Sequence, residues 1–107
     1  MQRGEVFALR APRAARGHEQ GGNRYGVVVQ ADELHSLSTV IVAPTSTRAR
    51  PASFRPEVVI GGEGTRVLVE QIAAVDPNRL GESQGLLSFD ELRDVDGSLA
   101  LVVGLLS

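Results

Sequence analysis

Most apolar residues of this 107-residue chain fall into short, largely β-branched runs, and no other feature constrains its fold more. The runs GEVFALR, RYGVVVQA, TVIVAPTST, FRPEVVI and TRVLVEQIAAV are separated by glycine, proline and polar residues. Such runs between turn formers are typical of strands, and three successive valines predict a strand that is buried on both faces. With a short strand at QGLLS, about five or six strands predict a mostly antiparallel sheet.

Proline, glycine and polar segments predict where these strands begin and end. Pro44 and the hydroxyl residues after it are expected to end the TVIVA strand, and the next strand is expected near Phe54 to Ile60. TRVLVEQIAAV is expected to form one continuous strand. DELHSLS predicts a single helical turn with Asp32 as its N-cap.

A helix is predicted at the C-terminus. Ser88 and Glu91 fit the S-x-x-E capping box, in which each side chain bonds the backbone N–H of the other residue. Apolar residues then recur on one helical face at Leu92, Val95, Leu99, Val102, Val103 and Leu106. Strands followed by one terminal helix predict a mostly β fold, a small antiparallel β-barrel. The length predicts a single domain that spans residues 1–107.

Composition excludes several classes of protein. The chain has no cysteine, which excludes a disulfide framework, thiolate metal sites and a cysteine nucleophile. Its two histidines, His18 and His35, have no third ligand and predict no metal site. The longest apolar run, LALVVGLL, is too short to cross a bilayer, and the N-terminus lacks an apolar signal segment. We therefore expect a cytoplasmic protein without a membrane partner.

The arginines and acidic residues are unevenly distributed along the chain. Residues 1–50 carry seven arginines and four acidic residues, whereas residues 51–107 carry four arginines and nine acidic residues. The basic first half is suited to face a polyanion. The net charge of −2 argues against strong nonspecific binding of nucleic acid.

Chemically capable side chains precede the valine strand in GHEQGGNR. His18 is suited to proton transfer near neutral pH, and Glu19 could orient it or accept a proton itself. Arg24 lies where the loop becomes a strand, a rigid position from which a cation can stabilise an anionic transition state. The alternative is a solvated polar loop in which Arg24 is a strand-end charge.

Two further polar clusters follow or interrupt strands. In PTSTRAR, three hydroxyl residues precede Arg48 and Arg50, and both residue types commonly contact phosphates. The alternative is a turn rich in serine and threonine. Glu70 and Gln71 interrupt an apolar run. Polar residues at such positions indicate a strand at the edge of the sheet, a shared hydrogen-bond network or a functional site.

Together these stretches resemble the MazF/PemK family of toxin endoribonucleases over nearly the whole chain. RGEVF looks like the opening R-G-[ED]-[IV]-[WY] of the family, and RGHEQGGNR looks like its G-[SH]-E-Q-x-G-x-R-P loop. VIVAPTST resembles the strand that ends in hydroxyl residues, and FRPEVVI resembles the F-x-V strand. VLVEQIAAVDPNRLG resembles the [DE]-Q-[IV]-[RK]-x-[IV] segment, and the apolar C-terminal helix matches as well.

The resemblance implies a small SH3-like barrel with a C-terminal helix that works as a homodimer. It implies cleavage of single-stranded RNA at short motifs, without a metal or other cofactor. In this reaction the 2′-hydroxyl attacks the adjacent phosphorus and leaves a 2′,3′-cyclic phosphate and a 5′-hydroxyl end. It also implies a cognate antitoxin that wraps the dimer and occupies the RNA groove.

By this resemblance the catalytic arginine of the family falls on Arg24 and its catalytic threonine on Ser46. Glu19 and His18 match the loop motif and are further candidates for catalysis. Strand alternation is expected to set Thr45 and Thr47 on the face opposite Ser46. The candidate RNA-binding residues are Gln20, Thr45, Thr47, Arg48, Arg50, Arg55, Glu70 and Gln71.

Four residues depart from the family pattern. Tyr25 stands where a proline usually follows the catalytic arginine, and Gly26 replaces the next apolar residue. Leu68 stands where some relatives have an arginine, and Ala73 where a basic residue is usual. These departures motivate a second hypothesis, in which the same dimeric barrel lacks competent catalysis and binds a protein target such as gyrase.

Overall fold

The computed structural model describes residues 1–10 and 24–106 of the chain. These residues form β-strands and one C-terminal α-helix, in the order β1 (Glu5–Leu9), β2 (Tyr25–Val28), β3 (Val40–Ser46), β4 (Glu57–Ile60), β5 (Glu63–Val67), β6 (Ala73–Val75), β7 (Leu80–Leu86) and α1 (Phe89–Val102).

The strands form one antiparallel sheet that curls into a half-barrel around β3. Its order is β4-β5-β3-β2-β1-β7, and β6 also pairs with β3. One edge of β3 pairs with β2 through Val42 to Pro44. On its other edge, Val40 to Val42 pair with β6, and Thr45 and Ser46 pair with β5. The predicted mostly β, antiparallel fold with a C-terminal helix is therefore confirmed.

Apolar residues pack on both faces of the central strands. Val27 of β2 and Ala43 of β3 lie in the main core together with Val95 of α1. Val28 and Val42, whose side chains point the other way, belong to a second apolar cluster on the opposite face. The valine strand is thus buried on both faces, as its sequence predicts.

Three predicted strand boundaries are wrong. β7 runs from Leu80 to Leu86 and not over QGLLS, because its residues pair with β1 back to Leu80, the partner of Leu9.

The other two wrong boundaries are those of β3 and β4. β3 does not end at Pro44, because Gly26 pairs with it on one edge and the carbonyl of Pro44 accepts the amide of Leu68 at 2.8 Å on the other. β4 begins only at Glu57, because the residues before it form a turn in which the amide of Arg55 donates to the carbonyl of Ala52.

TRVLVEQIAAV is not one continuous strand. It contains the end of β5, a 3-10 turn at Val69–Gln71, and β6. Val67 and Ala73 are six residues apart, whereas their partners Thr45 and Val42 on β3 are only three apart. The 3-10 turn accommodates the additional residues, and it lifts Glu70 and Gln71 out of the sheet.

The helical predictions are partly correct. Ser88 and Glu91 form the predicted capping box. Asp32 is not an N-cap, because Ala31 occupies that position and the Asp32 carboxylate accepts the backbone N–H of Arg3 at 2.7 Å. Of the predicted apolar face, Val103 and Leu106 lie beyond the last helical residue and are exposed. Within the described residues, no helix is long and apolar enough to cross a membrane.

Candidate active site

Arg24 and Ser46 lie at the same end of the sheet, where β2 begins and β3 ends. Val28 pairs with Val42, and Gly26 pairs with Pro44. The pairing of β2 with β3 ends at Gly26 and Pro44, so Arg24 and Ser46 each lie two residues beyond the same end of that pairing. The side chain of Arg24 is exposed, and its carbonyl accepts the amide of Leu9 at 2.9 Å. The backbone of the arginine is therefore fixed by the sheet while its guanidinium faces solvent.

A side-chain hydrogen bond joins the neighbours of these two residues. The backbone N–H of Tyr25 donates to the hydroxyl of Thr45 at 3.2 Å. Thr45 is only 2% exposed, so this bond lies at the edge of the core. A proline at position 25 could not donate it, because proline has no N–H. Tyr25 therefore supplies a constraint of its own next to Arg24.

The three hydroxyl residues of PTST have different environments. Thr45 is buried, Ser46 is partly exposed and Thr47 is exposed. The Ser46 hydroxyl oxygen accepts the backbone N–H of Arg48 at 3.2 Å. This bond uses a lone pair and leaves the hydroxyl proton available for donation. Thr45 points into the core, away from the face of Ser46, as strand alternation predicts.

An ion pair holds the loop after β3 against the 3-10 turn. Arg55 donates to the same Glu70 carboxylate oxygen, Oε2, from Nε at 3.0 Å and from Nη2 at 2.7 Å. Its Nη1 donates to the carbonyl of Arg50 at 3.1 Å. Arg55 and Glu70 are thus joined in a network that also fixes the backbone of Arg50, while the side chains of Arg48 and Arg50 are exposed.

Glu70 is held in its ionised form. The hydrogen bond from Arg55 lowers the pKa of the Glu70 carboxyl below its ordinary value of 4.5, and burial opposes this effect only in part. Its second oxygen, Oε1, is buried and has no hydrogen-bond partner among the described residues. Gln71, the other residue of the pair, is exposed.

The sequence reasoning missed Arg66. It pairs directly with Ser46 across β3 and β5, and its Nη1 donates to the carbonyl of Arg55 at 2.9 Å. The signal that could have identified Arg66 is the alternation of β5, in which Thr65 and Val67 are buried and Arg66 between them is partly exposed. Interpreting TRVLVEQIAAV as one continuous, largely apolar strand concealed that alternation.

The remaining candidates differ in whether the structure describes them. His18, Glu19 and Gln20 lie outside the described residues. Leu68 is only 6% exposed, so its position contributes to packing rather than to a charged surface. Ala73 is exposed on β6. In residues 1–10 and 24–106, no group of three or more histidine, aspartate or glutamate side chains could hold a metal ion.

The fold defines a small, mostly β half-barrel with one C-terminal helix, and comparison with known proteins identifies its family. A model of the PemK-like, MazF-like toxin of type II toxin–antitoxin systems matches residues 2–103. The chain belongs to this family. The resemblance seen in the sequence motifs is therefore confirmed.

Curated relatives cover almost the full chain. A candidate toxin of Mycobacterium tuberculosis, Rv3098A, is 40% identical over 104 residues, which are 96% of this chain and 97% of that protein. The endoribonuclease MazF of Staphylococcus saprophyticus is 34% identical over 112 residues, covering 98% of this chain and 92% of that protein.

A solved structure shares the fold. An endoribonuclease from a mycobacterial species, in complex with its cognate antitoxin, superimposes with a TM-score of 0.78 at 17% identity. The superposition covers 100% of this chain and 98% of that one.

Proposed function

We propose that this toxin is a metal-independent endoribonuclease that cleaves single-stranded RNA, including mRNA. The observation that carries the proposal is that Arg24 and Ser46 lie just beyond the same end of the β2–β3 pairing, Arg24 exposed and Ser46 partly exposed. Membership of a toxin family and 34% identity to an endoribonuclease MazF support the same activity. An RNA substrate also agrees with the cytoplasmic location that we expect.

In the proposed reaction, the 2′-oxygen forms a bond to the adjacent phosphorus and the bond to the 5′-oxygen breaks. The proton of the 2′-hydroxyl passes to a base, for which His18 and Glu19 are the candidates. The leaving 5′-oxygen takes up a proton from water, and the protonated base releases its proton to solvent, so the products are a 2′,3′-cyclic phosphate and a 5′-hydroxyl end.

Each residue of the proposed site has a distinct task. The Arg24 guanidinium stabilises the negative charge that develops on the phosphorane oxygens. The Ser46 hydroxyl donates a hydrogen bond to a non-bridging phosphate oxygen, while its own oxygen accepts the amide of Arg48. Backbone phosphates are contacted by Arg48 and Arg50, whereas Gln20, Thr47 and Gln71 are candidate contacts to the RNA.

The alanine variant of Arg24 tests this mechanism. Loss of one preorganised cation costs roughly a hundredfold to a thousandfold in rate, so Arg24→Ala should lose cleavage of a long unstructured RNA. The assay includes excess EDTA and detects 5′-hydroxyl fragments. The matched control is Arg93→Ala, which removes an exposed arginine of α1. Full activity of Arg24→Ala, with the fold retained by circular dichroism, would disprove the mechanism.

We also propose that the toxin is a homodimer that a cognate antitoxin binds. Apolar side chains near the C-terminus are exposed by 44% to 78% in the single chain, namely Leu101, Val103, Leu105 and Leu106. Burial of such a patch between subunits is favourable. Sedimentation that shows only monomer at micromolar concentration would contradict the dimer.

The alternative of a barrel that binds gyrase has no comparable support. The two curated relatives are named as a toxin and an endoribonuclease, and neither name refers to gyrase. The same RNA assay separates the two functions. Intact RNA in EDTA, together with growth arrest on expression, would favour the protein-binding alternative.

A further inference from the structure

Arg66 lies beside Ser46 on the outer face of the sheet. Ser46 and Arg66 are direct partners in the antiparallel pair of β3 with β5. Direct partners have their Cβ atoms about 4.5–5.5 Å apart and share one face. The flanking pair, Thr45 with Val67, is buried, so Ser46 and Arg66 face away from the core.

No acidic side chain forms an ion pair with Arg66 within the described part of the chain. Glu57 is its direct partner on β4, yet the two form no ion pair within 4.0 Å. The Glu57 carboxylate lies instead over Gly64, where its Oε2 is 3.3 Å from the position that a Cβ would occupy. Arg55, in contrast, is neutralised by Glu70.

One end of the Arg66 guanidinium forms a hydrogen bond within the protein, and the other end is available to a ligand. Its Nη1 donates to the carbonyl of Arg55 at 2.9 Å, which restrains the long side chain. Its Nε and Nη2 have no hydrogen-bond partner among the described residues. Two parallel N–H groups of a restrained guanidinium match two oxygens of one phosphate.

We propose that Arg66 is a substrate-contacting residue that binds an RNA phosphate flanking the scissile one, on the Ser46 side of the site. The inference rests on the proposed function, because it assumes that RNA lies along this edge. It assigns to Arg66 a phosphate contact that the sequence had assigned to Arg55. A contact to a flanking phosphate strengthens binding of substrate and transition state alike, so its loss raises KM and leaves kcat nearly unchanged.

The test compares Arg66→Gln with Arg66→Lys and with a matched control, Arg3→Gln. Arg3 is also partly exposed, and its Nε donates to the carbonyl of Val29 at 2.9 Å. Its neighbour Gly4 donates its amide to the carbonyl of Val28, at the other end of β2 from Arg24. Arg3 also forms an ion pair with Asp96. Replacing Arg3 should therefore disturb the fold more than replacing Arg66 does, which makes it a strict structural control.

Cleavage and binding are measured separately. We expect Arg66→Gln to raise KM roughly tenfold with kcat within about twofold, and Arg66→Lys to recover part of the loss. Binding is followed by anisotropy of a fluorescein-labelled, random-sequence 2′-fluoro RNA, which cannot be cleaved. The slope of log affinity against log salt should fall by about 0.7 in Arg66→Gln, and not in Arg66→Lys.

The two assays distinguish the failure of this inference from the failure of the proposed function. A wild-type protein that binds RNA without cutting it would contradict the proposed function, and the affinities would still decide the role of Arg66. Affinity and salt slope of Arg66→Gln equal to those of Arg3→Gln would overturn the inference. If Arg66→Gln does not fold, Arg66→Lys decides, because wild-type affinity in that variant would exclude a forked contact.

Discussion

The ion pair of Arg55 with Glu70 provides the sharpest test of how the loop after β3 is held. The two side chains are 23% and 25% exposed, so solvent screens the pair only in part. A net charged hydrogen bond contributes about 1.5–3 kcal/mol, and an exposed ion pair about 0.2–1 kcal/mol. Glu70→Gln keeps the shape and one accepting oxygen. We therefore expect a loss of about 1 kcal/mol, or about 4 °C in Tm.

The effect of Glu70→Gln depends on pH in a direction that follows from its pKa. The pKa of Glu70 in the folded chain is below its ordinary value of 4.5, because Arg55 donates to the carboxylate. The stabilisation is present above the unfolded pKa and is lost as the pH falls through the folded pKa. The Tm difference between wild type and Glu70→Gln should thus be constant from about pH 7 to about pH 5.5, and shrink as the pH falls below 4.5.

A double-mutant cycle isolates the pair itself. Thermal unfolding is measured at one protein concentration for Arg55→Gln, Glu70→Gln and the double variant, with a coupling of about 1 kcal/mol expected at pH 7. Glu63→Gln is the control, because Glu63 is an exposed carboxylate and forms no ion pair with any described residue. A coupling below about 0.3 kcal/mol, or a Tm difference that does not change with pH, would refute this reasoning.

Three further predictions concern stability and are checked by the same thermal unfolding. Thr45→Val should cost about 1–2 kcal/mol, because it leaves the N–H of Tyr25 without its acceptor, and Thr45→Ser should recover part of this. Ser88→Ala should cost about 1 kcal/mol by removing the capping box, and an unchanged Tm would contradict that. Gly97→Ala should stabilise by about 0.5–1 kcal/mol, since no atom lies within 4 Å of its added Cβ, and a lower Tm would show a clash.

Much of the fold could be predicted because its signals are local. The unbroken run of β-branched valines reflects burial on both faces of β2, and the capping box of Ser88 with Glu91 depends on residues three apart. The errors arose where pairing with a distant strand decides the structure. Pro44 remains in β3 because Gly26 and Leu68 pair with its two edges, and neither neighbour can be read from the proline itself.

The candidate site shows the same division between features that local sequence predicts and features that depend on pairing between distant strands. The sequence singled out Arg24, Ser46 and Glu70 as chemically capable residues, and their catalytic and binding roles stay predictions. It could not show that Arg55 is neutralised by Glu70, because that pair depends on a 3-10 turn that interrupts the expected strand. It also missed Arg66, whose importance lies in a partner on another strand.

The sequence by itself determined the strand-rich composition, the capped C-terminal helix and the family motifs, since each depends on residue types at short spacing. The tertiary structure alone decided which polar residues become neighbours. β3 pairs with β2 on one edge and with β5 and β6 on the other, so residues distant along the chain meet at one edge of the sheet. That register places Arg24 and Ser46 just beyond the same end of the β2–β3 pairing and makes Arg66 the direct partner of Ser46, because antiparallel pairing fixes which residues face each other across a sheet.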